Sequence, residues 1–176
     1  LPDETGPYEQ IVYDQGGRAL RGLIEEQVLV QDEQPCLYAY ALTMAGRTQT
    51  GVVLCASTSE YDDNLVRKHE LTRPDKEDDR VRNIEALQAQ SGTVFLVHRD
   101  SELISSAMAT VTESVPAVDF TATDEIRHQL WVIDQPETIS QIVRGFADLG
   151  PIFIADGHHR SAAASRVAAK KRDEGD

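Results

Sequence analysis

The chain has 176 residues, 40% of them hydrophobic, with 30 acidic against 17 basic side chains and a formal net charge of −13. That length and apolar content suit one domain with a real core, while the charge excludes a broad phosphate-neutralising surface and so argues against nucleic acid as a partner. No apolar run approaches the ~20 residues of a membrane span, which predicts a cytoplasmic protein with no membrane partner.

The opening Leu1-Pro2-Asp3-Glu4-Thr5 reads as a linker and the charged stretch from Lys170 to Asp176 as a helix running out into a loop. Both point to a piece of a longer chain. Residues 8–27 carry Ile11, Val12, Ala19, Leu20, Leu23 and Ile24 at helical spacing and predict a helix, weakened in its middle by Gly16-Gly17.

Residues 35–44 and 48–57 are rich in aromatic and β-branched side chains and predict a hairpin. A type II′ turn on Gly46-Arg47 would set Cys55 opposite Tyr38, and a turn on Ala45-Gly46 would set it opposite Cys36. Glycine at the first central position favours the former. With two cysteines and no CxxC, a zinc ribbon is unsupported and reduced thiols are expected.

Residues 64–71 form a short strand or loop. The next helix opens at Thr72-Arg73-Pro74-Asp75, with Thr72 as cap, Pro74 in the first turn, and Asp75, Glu77, Asp78 and Asp79 at its positive end. Val81, Ile84 and Leu87 supply its buried face, and Ser91-Gly92 ends it. Residues 93–98 predict a strand, 101–113 a helix, 117–121 and 127–133 a strand pair, and 135–149 a helix. Ile152, Phe153 and Ile154 then form a strand, Asp156-Gly157 a turn, and the alanine-rich run from Ser161 a helix. The order is α+β: a mixed sheet with an N-terminal hairpin and helices packed around it, in a single domain over residues 1–176.

At the turn before that last helix sit Asp156, Gly157, His158, His159 and Arg160. A helix N-terminus presents unpaired N–H groups and a partial positive charge, so a phosphate would rest there. A simple capping role for Asp156 leaves a histidine pair and an arginine unaccounted for. A second polar cluster, Arg67-Lys68-His69-Glu70, gains weight only if it meets the first in space; as an extended piece it would put Lys68 and Glu70 on one face and His69 on the other. Glu70 beside a cation can accept a proton from an alcohol or water.

His69, His158 and His159 with Glu70 and Asp156 would also suit zinc or iron. Adjacent histidines rarely point the same way, so this ranks second and no metal ligand is assigned. His98 and His128 read as surface or satisfied histidines, Trp131 as a core aromatic, and residues 75–79 as a solvated helix start rather than a calcium loop.

Lys68-His69-Glu70-Leu71-Thr72 with the following Lys76-Glu77-Asp78-Asp79-Arg80, a strand like residues 93–97, and then Ala155-Asp156-Gly157-His158-His159-Arg160-Ser161-Ala162-Ala163-Ala164 resemble a large bacterial family, Domain of Unknown Function 1015, over essentially the whole chain. That family is distantly similar to the free-serine kinases of the ParB/sulfiredoxin-like superfamily. There a Gly-x-x-Arg turn at a helix start holds nucleotide or substrate phosphates, and a glutamate deprotonates the serine hydroxyl. The resemblance implies a ParB/sulfiredoxin-like core, phosphate contacts from Gly157 and Arg160 with His158 and His159 between them, and Glu70 as base. Family members are longer at both ends and carry a proline-rich N-terminal segment absent here, which again implies a fragment.

The expected activity is a phosphotransfer from ATP or ADP, with Mg2+, to a small hydroxylated metabolite such as serine. Asp156 would orient the magnesium or a histidine, His158 or His159 would stabilise the transferring group, and Lys68 would offset charge. The alternatives are a nucleotide-binding regulator resembling the CTP-binding modules of chromosome-partition proteins, and a metal-dependent hydrolase. The oligomeric state stays open.

Overall fold

The computed structural model describes residues 4–175, so most of the expected N-terminal linker and the final Asp176 lie outside the described residues. In chain order the elements are α1 (Gln10–Glu25), β1 (Leu37–Met44), β2 (Arg47–Val53), α2 (Thr58–Asp62), β3 (Val66–Arg67), α3 (Pro74–Leu87), β4 (Phe95–Val97), α4 (Glu102–Thr112), β5 (Val118–Thr121), β6 (Arg127–Ile133), α5 (Pro136–Leu149), β7 (Ile152–Asp156) and α6 (His158–Glu174). The fold is α+β, with six helices among the described residues, and its strands fall into a four-stranded and a three-stranded sheet. The chain divides into two compact units, one of residues 32–56 and 99–150, the other of residues 1–31, 57–98 and 151–176.

The first of these units is built on an antiparallel sheet of order β2-β1-β6-β5. Its strands alternate, and the inward set of β1 and β6 (Ala39, Ala41, Trp131, Ile133) joins Ala107 of α4 and Ile142 of α5 in one core cluster. Ala39 pairs directly with Trp131, so the smallest side chain makes room for the largest. The Trp131 indole N–H donates to the Ser114 carbonyl at 2.9 Å, which satisfies its one polar atom. His128 is a satisfied histidine as expected, with Nδ1 2.7 Å from the Tyr40 hydroxyl and its ring stacked on Phe120.

The hairpin turn differs from the expected one. Met44 pairs with Arg47, so the turn residues are Ala45 and Gly46, with φ of 50° and 78°. Two positive φ values define a type I′ turn, whose twist matches the flanking strands, and the Thr43 and Thr48 hydroxyls meet at 2.8 Å just behind it. The ladder stops at Tyr38 and Val53, short of the cysteines, and both thiols are free. The hairpin also lies in this antiparallel sheet, whereas the mixed sheet belongs to the other unit.

That mixed sheet has the order β3-β7-β4, with β3 parallel and β4 antiparallel to β7. Around it, α6 packs on α3 and α2, and α3 on α1. The alanines of α6 permit a close approach: Ala162, Ala163 and Val167 are buried. Charged groups flank this contact, with Arg166 bonded to Glu77 and Asp78 and Lys170 to Glu85. Part of the acidic run expected to be merely solvated is therefore ion-paired to α6.

Helix α1 turns a different face inward from the one its apolar spacing indicates. Tyr13 and Gly17 are buried, while Ile11, Leu23 and Ile24 remain exposed. A Cβ at Gly17 would stand 2.8 Å from the Ala86 carbonyl oxygen, so this glycine is what lets α1 approach α3. The Tyr13 hydroxyl donates to Asp79 at 2.7 Å, and the Arg82 guanidinium lies over the Tyr13 ring. Pro74 opens α3 as expected, but the N-cap is Arg73; the Thr72 hydroxyl donates to Glu77 instead. The helix ends at Gln88 in the left-handed region (φ 53°), before Ser91-Gly92.

Among the described residues, no helix is long and apolar enough to cross a membrane.

Candidate functional site

The two polar clusters meet. Parallel pairing of Val66 with Ile152 and Arg67 with Phe153 carries the chain leaving β3 past the C-terminal end of β7. There β7 gives way to α6 through a single residue, Gly157. Its φ of +98° is left-handed, and a Cβ on it would stand 3.3 Å from Val94 Cα, so the turn needs glycine on both counts. Helix α6 starts at once with His158, earlier than the alanine run alone indicates.

His158 is 4% exposed. Its Nε2 accepts the His69 backbone N–H at 3.4 Å, and its Nδ1 stands 3.6 Å from Glu70 Oε2. The His69 and His158 rings meet edge-on, 4.4 Å between centroids. His159 Nε2 accepts the Arg73 N–H at 3.2 Å. Both adjacent histidines thus reach the same crossing segment, but at its two ends: His158 meets His69 and Glu70 while His159 meets Arg73, the divergence expected of neighbours. Both reach it because residues 68–73 are not a regular strand but wrap across the first turn of α6. For the same reason His69 and Glu70 do not alternate faces; both approach His158.

Asp156 and Arg160 are paired with each other. Arg160 Nη2 lies 2.6 Å from Asp156 Oδ2, and Nη1 donates to the Thr93 carbonyl. The arginine stem lies against Gly92, where a Cβ would be 3.1 Å from Arg160 Cδ. Gly92, read from sequence as a helix end, is thus a platform for Arg160. Lys68 points elsewhere: its Nζ sits 3.7 Å from the centroid of the Tyr61 ring. The Tyr61 hydroxyl is held above its ordinary pKa by burial first, and then by the negative charges of Glu77 and Asp62. Nothing in the local sequence of α2 marks Tyr61 as a partner of Lys68, and the Thr93 carbonyl and Arg73 amide, being main-chain groups, carry no residue signal at all.

The corner joins one buried imidazole to exposed carboxylates, with Glu70 and Asp156 side chains 62% and 71% exposed. No side-chain cap bond closes the N-terminus of α6. One donor atom from each of His69, Glu70 and His158 falls within 4.8 Å of the others. A separate surface cavity of about 460 Å³ opens between α1 and α3, lined by residues including Asp14, Arg18, Arg21, Arg82 and Glu85.

Over residues 1–176 the chain matches the family described as Protein of unknown function (DUF1015), and it belongs to that family. No curated protein and no solved structure matches it.

Proposed function

We propose that this chain binds a nucleotide through its phosphates and transfers a phosphoryl group to a small hydroxylated metabolite such as serine, on a ParB/sulfiredoxin-like core. The observation that carries this reading is the placement of Glu70 against His158 at the start of an uncapped helix of 17 residues. A carboxylate able to take a proton there adjoins main-chain N–H groups able to hold an anion.

The first hydrogen bond into α6 runs from the Ser161 N–H to the Gly157 carbonyl, so the N–H groups just before it are the natural phosphate donors. The His69 amide occupies His158 Nε2, which leaves the ring proton on Nδ1, facing Glu70. At 3.6 Å that proton attracts the Glu70 carboxylate without a hydrogen bond to fix it. In transfer from ATP, the Glu70 carboxylate takes the acceptor hydroxyl's proton and the freed oxygen bonds to the terminal phosphorus. The bond from that phosphorus to its bridging oxygen breaks and ADP leaves; a magnesium ion, where bound, would offset the charge on the phosphates. Arg160 adds a guanidinium pre-positioned by Asp156 and Thr93, and a phosphate would compete with Asp156 for it. His159, tied to Arg73, holds the crossing segment in place.

Titration with ATP, ADP and CTP, with and without magnesium, tests this reading. Saturable binding that Arg160→Ala weakens supports it; indifference to all three nucleotides ends it. Binding with no product from serine would favour a regulator.

A further inference from the structure

We propose that His69, Glu70 and His158 form a site for one first-row transition-metal dication such as zinc, iron(II) or cobalt(II). The inference goes beyond the phosphotransfer reading and does not rest on it.

Distance is the first argument. His158 Nδ1 and Glu70 Oε2 are 3.6 Å apart, which is long for a hydrogen bond. Two ligands each ~2.1 Å from a tetrahedral ion stand about 3.4 Å from one another. The pair is therefore spaced as two corners of one coordination shell. His69 completes the set, since one donor atom from each of the three residues lies within 4.8 Å of the others.

The second argument is rigidity on one side and access on the other. His158 is buried at the first position of α6, fixed by the Gly157 turn, while His69 and Glu70 are exposed. An ion can enter from solvent, and three protein ligands leave a position for water or substrate, as in catalytic rather than structural zinc sites.

The third argument is donor chemistry. Two imidazoles and one carboxylate suit zinc, iron or cobalt, whereas magnesium prefers oxygen ligands and keeps most of its water. Ligation through Nδ1 moves the ring proton of His158 to Nε2, at the cost of the 3.4 Å contact with the His69 amide. The ring N–H then faces the His69 N–H, so the exposed His69 segment must shift to separate the two donors. A water or alcohol oxygen on the ion would become more acidic, and the Glu70 oxygen not used in ligation remains to receive its proton.

The test uses the whole chain, freed of metal with a chelator and titrated with cobalt(II) alone while its visible absorption is followed. Zinc and magnesium are then added as competitors. One equivalent of cobalt should bind, zinc should displace it, and a hundredfold excess of magnesium should not. His69→Ala and Glu70→Gln should each weaken cobalt binding by at least about tenfold with an unchanged circular-dichroism spectrum. Both residues are exposed, so these variants carry the test if replacing buried His158 unfolds the chain. Absence of stoichiometric binding, equal competition by magnesium, or wild-type affinity in both variants overturns the site. Because the readout is metal alone, loss of the nucleotide reading would leave this result standing, and the reverse holds too.

Discussion

The guanidinium of Arg160 closes on the carboxylate of Asp156 across the Gly157 turn, Nη2 to Oδ2 at 2.6 Å. An arginine at a helix start whose charge is already met by an aspartate four residues earlier binds an anion only by exchanging one partner for another. The exchange is feasible because Asp156 is largely exposed and regains water when released, while the Thr93 carbonyl still holds the other nitrogen.

Asp156→Asn should therefore tighten magnesium-free nucleotide binding by a few-fold, since the competing charge is gone while the amide still steers the guanidinium. Fluorescence or calorimetric titration reads the effect. A weaker affinity in Asp156→Asn would mean that the carboxylate serves the ligand directly rather than competing with it.

Gly17→Ala tests how α1 meets α3. An alanine gains up to about 1 kcal/mol of helix propensity over glycine. Its Cβ, however, would lie 2.8 Å from the Ala86 carbonyl oxygen, a backbone atom that moves only if one helix shifts. Overpacking of this kind costs about 1–3 kcal/mol, so urea denaturation should show a net loss. Stabilisation would mean that the helices stand further apart.

In the other unit, Arg127 makes two hydrogen bonds to Asp119, at 2.8 and 2.6 Å, and this holds the Asp119 carboxyl below its ordinary pKa. A group whose folded pKa is lowered stabilises the fold above its unfolded pKa, and that contribution fades as pH falls through the folded value. The melting-temperature gap between the wild type and Asp119→Asn should be small, as for exposed pairs generally, widest near neutrality, and closing below about pH 4. A gap independent of pH would show that the pair contributes nothing through its charge.

The regular elements were legible because their patterns are local. The strand pair β5 and β6, and helices α4 and α5, fall within a residue or two of the ranges expected for them, 117–121, 127–133, 101–113 and 135–149. The hairpin strands were legible too, but not their turn, because Ala45 accepts a positive φ that alanine seldom takes. Helix α2 has five residues, too few for any periodicity to show. The inward face of α1 was hidden because a glycine, not an apolar side chain, makes the close contact.

The residues of the candidate site could be named from sequence, but their meeting could not. It depends on β3, a two-residue strand whose parallel pairing with β7 joins segments far apart in the chain. So short a strand leaves no pattern of its own. The pairing of Arg160 with Asp156 was equally hidden, since the motif reads the same whether its arginine faces a ligand or its own aspartate.

The most direct measurement is the formation of phosphoserine from free serine and ATP, or ADP, by the purified chain, followed by mass spectrometry. The wild type should form product, and Glu70→Gln should lose at least about a hundredfold in rate while its nucleotide affinity stays within about twofold. Equal turnover by Glu70→Gln, or no product from the wild type under saturating nucleotide, would contradict the assignment of this corner to phosphoryl transfer.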